Sequence, residues 1–252
     1  MSDSAKGAEP VDEAAAILDE QSASHAVQSM FNSIAPRYDL LNHILSANID
    51  RLWWWRAARE FRTVLRRPEA TVLDMCCGTG DMTLALLKHR PANGRPVLAL
   101  DFAHAMLLRG KRKLPSHKAI AIEADALQMP IAEATVDLIT SAFGFRNLAN
   151  YQAGLCEIRR VLRVGGEIGI LDFSEPDGAL SAVYRVYFSC ILPRIGRVIS
   201  GSSRPYEYLP RSVHRFPSPS QMLEMMTNCG FSNATWTPYT FGIAGLYRAV
   251  KT

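Results

Sequence analysis

Apolar residues along this chain recur with two different periods, and the order in which those periods alternate predicts its architecture. Residues 1–24, rich in Ala, Ser, Asp and Glu, hold little to bury and predict a mobile tail with at most a helical turn near 14–18. From His25 the texture changes. Val27, Met30, Phe31 and Ile34 fall at helical spacing, and Pro36 closes that run. Residues 38–43 and 51–56 predict further helices, so 25–68 reads as a helical cap on the rest of the chain. The run Trp53-Trp54-Trp55 within the cap admits two readings, packing against a domain edge or facing lipid.

Beyond Pro68 the pattern becomes strand, helix, strand, helix. Strands are predicted at Thr71–Met75, Pro96–Leu100, Ala119–Glu123, Val136–Ala142 and Glu167–Phe173, with helices from Gly80, over Ala103–Leu114, and along Leu155, Ile158, Val161 and Leu162, closed by Gly165-Gly166. The strands are near-continuous apolar runs, as when helices cover both faces. A segment at 176–219 interrupts the alternation. Its first part carries Val183, Tyr184, Tyr187, Phe188, Ile191 and Leu192 on one helical face, with Arg185, Arg194 and Arg197 interspersed; 206–220 reads as loop. A helix at Gln221–Asn228 and two strands near Ala234–Thr237 and Gly242–Val250 complete the chain, the strands as an antiparallel hairpin at the sheet edge. The predicted fold class is α/β: a Rossmann-like, doubly wound, mostly parallel sheet over 69–252.

At 252 residues and 48% hydrophobic content the chain can bury one sizeable core. A net charge of +4 permits an anionic membrane surface or nucleic acid and requires neither. Five cysteines, without a Cys-x-x-Cys pair, predict free thiols in a reducing, cytoplasmic setting and no metal site. Neither a signal peptide nor a spanning apolar run is expected.

Candidate chemistry concentrates at residues 72–81. Gly78 and Gly80 allow a sharp turn after the first strand, Thr79 reads as the N-cap of the next helix, and Lys88, His89 and Arg90 read as its last turn. A dinucleotide loop would place a third glycine three residues after Gly80, where this chain has Thr83, and Asp81 would repel a phosphate. Nor is there a Gly-Lys-Ser/Thr P-loop. S-adenosylmethionine, with a carboxylate and an ammonium but no phosphate, suits the turn better. Loop N–H groups can take the carboxylate, and the electronegative strand end at Asp74 the ammonium. Asp101 ends the second strand, placed to accept both ribose hydroxyls; Asp125 ends the third, placed for the adenine amino group beside Ala126 and Leu127. Phe102 and Met106 are candidates to sandwich the adenine. Three acids in successive strand-to-helix turns behind a Gly loop predict a class I S-adenosylmethionine-dependent methyltransferase fold. The loop itself reads Asp74-x-Cys76-x-Gly78-x-Gly80, with a cysteine where the superfamily has its first glycine; Cys76 and Cys77 read as small, buried, inert side chains.

From about Met30 onward the chain resembles the quinone-biosynthesis C-methyltransferases that act on demethylmenaquinol and polyprenyl benzoquinols. Tyr38-Asp39-Leu40-Leu41-Asn42 with Ser46 through Trp53 is similar to one signature, with Leu41 in place of Met and Asp50 in place of His. Arg160 through Glu167, continuing to Asp172-Phe173-Ser174, is similar to a second, with Arg163 for Lys and Asp172 for Glu. Phe143-Gly144-Phe145-Arg146-Asn147, Leu192 through Gly196 and Tyr206-x-Tyr208-Leu209 match further blocks. The resemblance implies S-adenosylmethionine contacts at Thr79, Asp101, Asp125 and Ala126. A serine contact of some members falls at Ala142 here, so it is lost or moved to Ser141. The implied substrate is a polyprenylated quinol. Arg146 would stabilise a phenolate or activate a water, Asn147 would orient the hydroxyl, and Tyr38 and Asp39 would close the site. The prenyl tail would run along 179–200, as a tunnel or on a bilayer in peripheral membrane contact, a helix simply packed on the sheet being the alternative. Another small-molecule or lipid methyltransferase is the nearest rival. Nucleic acid is not expected, because neither a concentrated Lys/Arg tract nor an appended RNA module supports it; a homo-oligomer is left open.

Overall fold

In the computed structural model, residues 22, 24–35, 46, 48–176 and 204–252 are described. The tail, Tyr38 and Asp39, and the apolar helix expected at 179–200 lie outside the described residues. The first helix, α1, covers 24–34, where the apolar spacing predicts it. Helix α2 (Ile49–Glu60) buries Trp53, Trp54, Ala57 and Ala58 and continues through a short turn at Arg62–Leu65. Next come β1 (Val72–Met75), α3 (Asp81–Leu87), β2 (Val97–Asp101), α4 (His104–Lys113), β3 (Ala119–Glu123) and β4 (Val136–Ala142). A 3-10 turn at Phe145–Asn147 leads to α5 (Tyr151–Val161), β5 (Leu162–Phe173), α6 (Arg204–Arg215), α7 (Pro219–Asn228), β6 (Phe231–Tyr239) and β7 (Ala244–Lys251).

The strands form one seven-stranded sheet in the order β3-β2-β1-β4-β5-β7-β6. β1 to β5 are parallel, and β7 runs antiparallel between β5 and β6, as the edge hairpin predicts. Successive strand residues feed opposite layers. Leu73, Ile139, Ile168 and Ile170 pack with α5 and α7 on one face, while Val72, Leu138 and Leu171 pack with α2 and α3 on the other. Strand β3 departs from the expectation of two covered faces, because it is an edge strand and leaves Ile120 47% exposed.

Two further expectations are corrected. Gly165-Gly166 does not close a helix. The chain turns extended at Leu162, pairs at once with Val136, and bulges through the glycine pair before Glu167 resumes pairing with Leu138. The stretch read as loop at 206–220 is instead mostly helix α6, with Pro205 in its first turn and Pro210 inside it. Interior proline costs about 3 kcal/mol. Burial of Val213, beside Phe216 just past the helix, and docking of Arg215 on the Phe145–Asn147 turn offset it.

Candidate active site

The turn after β1 is held by three residues in the left-handed region: Cys76 (φ 54), Gly78 (φ 55) and Gly80 (φ 87). Gly80, not Thr79, is the N-cap of α3, and no side chain caps the helix. The Thr79 hydroxyl instead accepts from Lys113 Nζ at 2.9 Å, and the same ammonium bonds Asp81 Oδ1 at 2.9 Å. Lys113 therefore neutralises Asp81, and repulsion by Asp81 is no longer a reason against phosphate. Helix α3 ends at Leu87, so Lys88, His89 and Arg90 lie past its last turn. Arg90 braces the domain, donating to the carbonyls of Leu65, Arg67, Pro68, Ala70 and Arg95.

The three strand-end acids separate in role. Asp74 is fully buried and accepts from Thr83 Oγ1 at 2.5 Å and Thr140 Oγ1 at 3.1 Å, which ties β1 to α3 and β4. Burial raises its pKa to about 7. It is an internal brace, each of its oxygens engaged by a threonine hydroxyl. Asp101, 6% exposed, accepts the Gly78 N–H on one oxygen and the Ala103 N–H on the other, each at 2.8 Å, and burial raises it to about 6. It shapes the loop and holds the entry to α4 at once; a ribose would use the second lone pair of each oxygen. Asp125 is exposed and accepts from Leu127 N at 2.8 Å, with Ala126 buried beside it.

Phe102 is half-buried, its carbonyl accepting from Gln28 Nε2 of α1 at 2.6 Å. Met106 is not available to an adenine: it is 1% exposed, packed under α1 with Ala35 and Phe31. At the end of β4, Ser141 and Ala142 face opposite layers. Ala142 packs in the core layer with α2 and α3, whereas the Ser141 hydroxyl is buried without a hydrogen-bond partner near Gly144. The loops after β1 and β4 touch so closely that a Cβ on Gly144 would lie 2.3 Å from Cys76 Cβ. Burial pushes both the Cys76 and Cys77 thiols well above their usual pKa, in keeping with inert side chains.

Beside this junction sits a buried polar cluster. Arg146, 6% exposed, pairs through Nη1 with Asp172 Oδ1 at 2.8 Å, and its backbone N–H donates to Asp172 Oδ2 at 3.0 Å. Nη1 also donates to the Phe143 carbonyl, and the guanidinium lies 5.2 Å from the Phe173 ring centroid. Tyr151 Oη and Arg215 Nη2 both donate to the Arg146 carbonyl, at 3.0 and 3.3 Å. Asn147 Nδ2 reaches the Phe143 carbonyl at 3.4 Å, while its Oδ1 is buried without a partner; so is the Tyr208 hydroxyl on α6. Sequence reasoning misses Asp172, Tyr151, Tyr208 and Arg215 as site residues. The only signals for them are the family blocks containing Asp172 and Tyr208.

The donor set fits S-adenosylmethionine. A loop of backbone N–H groups, carboxylates at strand ends and an orphaned hydroxyl at Ser141 match a ligand of hydroxyls, amine and carboxylate. With the 3-2-1-4-5-7-6 sheet, these features define a class I S-adenosylmethionine-dependent methyltransferase, and S-adenosylmethionine is its methyl donor. Residues 18–251 match the model of the ubiE/COQ5 methyltransferase family, and the chain belongs to that family. It is 43% identical over 237 residues to a demethylmenaquinone methyltransferase of Deinococcus radiodurans, covering 92% of this chain and 95% of that protein. A demethylmenaquinone methyltransferase of Thermus thermophilus is 42% identical, covering 86% and 98%. Among solved structures, a S-adenosylmethionine-dependent methyltransferase of Thermotoga maritima superposes with a TM-score of 0.63 at 14% identity, over 89% of this chain and 99% of that one, which speaks to the fold alone.

Proposed function

We propose that this chain methylates a ring carbon of demethylmenaquinol in menaquinone biosynthesis, working at the cytoplasmic side of a membrane. The observation that carries the acceptor chemistry is Arg146, a buried cation fixed by Asp172 beside the loop that holds the donor. The names of the two relatives favour a naphthoquinol over a benzoquinol.

S-adenosylmethionine supplies an electrophilic methyl when bound. The protein's part is to align the ring and to make its carbon nucleophilic. A quinol carbon ortho to a hydroxyl gains that character when the hydroxyl loses its proton. Arg146 stays protonated and is no base; it stabilises the phenolate directly or orders the water that takes the proton. Asn147 Oδ1, buried and unpartnered, accepts the hydroxyl hydrogen and so orients the ring. Trp53, Phe143 and Phe173 pack ring against ring, and the Phe173 ring covers the Arg146 guanidinium, apolar area that excludes water. Tyr38 and Asp39 are assigned to closing the site on the strength of the family block alone.

The test offers demethylmenaquinol and a demethylated benzoquinol together, both chemically reduced, with S-adenosylmethionine, and reads products by mass spectrometry. Methyl gain on the naphthoquinol ring is expected. Transfer only to a phospholipid amine or to RNA would overturn the assignment.

A further inference from the structure

The run of three tryptophans splits. Trp53 and Trp54 are buried, but Trp55 is 42% exposed, next to Leu52 at 50% and Ile49 at 38%. Exposed arginines surround it on the same outer face: Arg51, Arg56, Arg59 and, on the next turn, Arg62 and Arg66. Trp55, Arg56, Arg59, Glu60, Arg62 and Thr63 line a shallow groove of about 460 Å³. Its single acid, Glu60, is taken by Arg248 at 2.7 Å. The local field is positive enough to act on a neighbour. His89 is held below its usual pKa by burial, and then by Arg62, Arg66, Arg59 and Lys88.

A second exposed apolar group joins this face. Phe241, in the turn between β6 and β7, is 84% exposed and sits at φ 57. A bulky residue held left-handed costs about 1–2 kcal/mol, and an exposed one recovers nothing from packing. The turn is fastened to α2: Trp53 Nε1 donates to Thr240 Oγ1 at 2.8 Å, and the Arg56 guanidinium lies 4.5 Å from the Tyr239 ring centroid.

The sheet register orients this face. Ala244 pairs with Phe173, so the Phe241 turn lies at the carboxyl end of the parallel strands, on the rim of the active site. Glu60 reaches Arg248, further along β7, so α2 runs from the rim toward the opposite end. Ile49, Arg51, Leu52 and Phe241 are therefore at the rim, with Arg56 and Arg59 behind. At 1.5 Å per residue, Arg56 stands roughly 6 Å and Arg59 roughly 10 Å behind Leu52. The polar layer on each side of a bilayer is about 5–7 Å thick.

We propose that the rim formed by Ile49, Leu52 and Phe241, with Trp55, Arg56 and Arg59 of α2 behind it, docks on the surface of an anionic phospholipid bilayer. The apolar tips enter the acyl boundary while Arg56 and Arg59, whose side chains lean toward the N-terminal end of α2, meet lipid phosphates, and the active-site mouth then opens toward the membrane. The aliphatic tips favour lipid over RNA, because Ile and Leu do not stack on bases. The reason for a bilayer to be there rests on the quinol reading, since a polyprenylated acceptor resides in lipid.

Vesicle binding is measured without turnover, so its outcome stands apart from the identity of the acceptor. The full chain is floated with phosphatidylcholine vesicles, with and without phosphatidylglycerol, and S-adenosylmethionine binding by calorimetry reports that each variant is folded. Salt-sensitive binding to the anionic vesicles is expected. Arg56→Gln with Arg59→Gln should weaken it at least about tenfold, at roughly fivefold per arginine. Leu52→Ser with Phe241→Ser should weaken it by a similar factor while donor affinity stays unchanged. A chain that stays with the soluble fraction, variants that float as well as the parent, or tighter binding to homopolymeric RNA than to vesicles would each overturn the proposal.

Discussion

Arg146 shows how one residue can serve structure and chemistry together. Its guanidinium is bound by a fully buried carboxylate, so Arg146→Ala leaves Asp172 unpaired at a cost of about 3–5 kcal/mol. A loss of activity in that variant alone would not separate the two roles. Arg146→Lys keeps the charge and loses the planar fork. We expect Arg146→Lys to fold, to bind S-adenosylmethionine as tightly as the parent by calorimetry, and to turn over about 10²-fold more slowly. Equal losses in donor affinity and turnover would identify a purely structural ion pair. From sequence, Arg146 and Asn147 were legible as a dipeptide after a strand. The partner of Arg146, Asp172, lies 26 residues away on the neighbouring strand, where only the β4–β5 pairing brings it alongside.

At the scale of elements, the two loops at the carboxyl ends of β1 and β4 share one steric constraint. Cys76 stands at φ 54 where the superfamily places glycine, and its Cβ occupies the space that a side chain at Gly144 would need. Gly144→Ala should therefore destabilise the fold by about 1–3 kcal/mol. Cys76→Gly should be close to neutral, relief of left-handed strain offsetting the glycine entropy term. The double variant should recover much of the Gly144→Ala loss, with a coupling of about 0.5–3 kcal/mol in urea titrations; strict additivity would deny the contact. The cysteine substitution was readable from sequence, but its partner was not. Elements were missed for a related reason. Helix α6 carries two prolines and a loop-like composition, and only burial against the Phe145–Asn147 turn makes it helical.

For the whole molecule, Asp74 connects the layers through Thr83 and Thr140 at the centre of the sheet. Its native pKa of about 7 lies above the ordinary value of 3.8, so the folded state favours the protonated form. That contribution is full below about pH 4 and is lost as pH rises through about 7. Asp101, raised to about 6, acts in the same direction over a narrower window. The urea midpoint should therefore fall from about pH 5 to about pH 7, and Asp74→Asn should flatten most of that slope. A variant with an unchanged slope would show that Asp74 ionises freely in the native state.

The sequence by itself determined the alternation of strands and helices, the sheet's doubly wound class, the glycine turn after β1 and the family, because each is written in local period or short motif. Tertiary structure alone decided what those residues face. It tied Asp74 to Thr83 and Thr140, gave Thr79 and Asp81 to Lys113, closed Met106 under α1, and split three adjacent tryptophans between core and surface. The physical reason is common to all four. A strand end or a helix period tells which face a side chain leaves from, but the partner on that face comes from another part of the chain, and only the assembled sheet brings the two within hydrogen-bond or van der Waals reach.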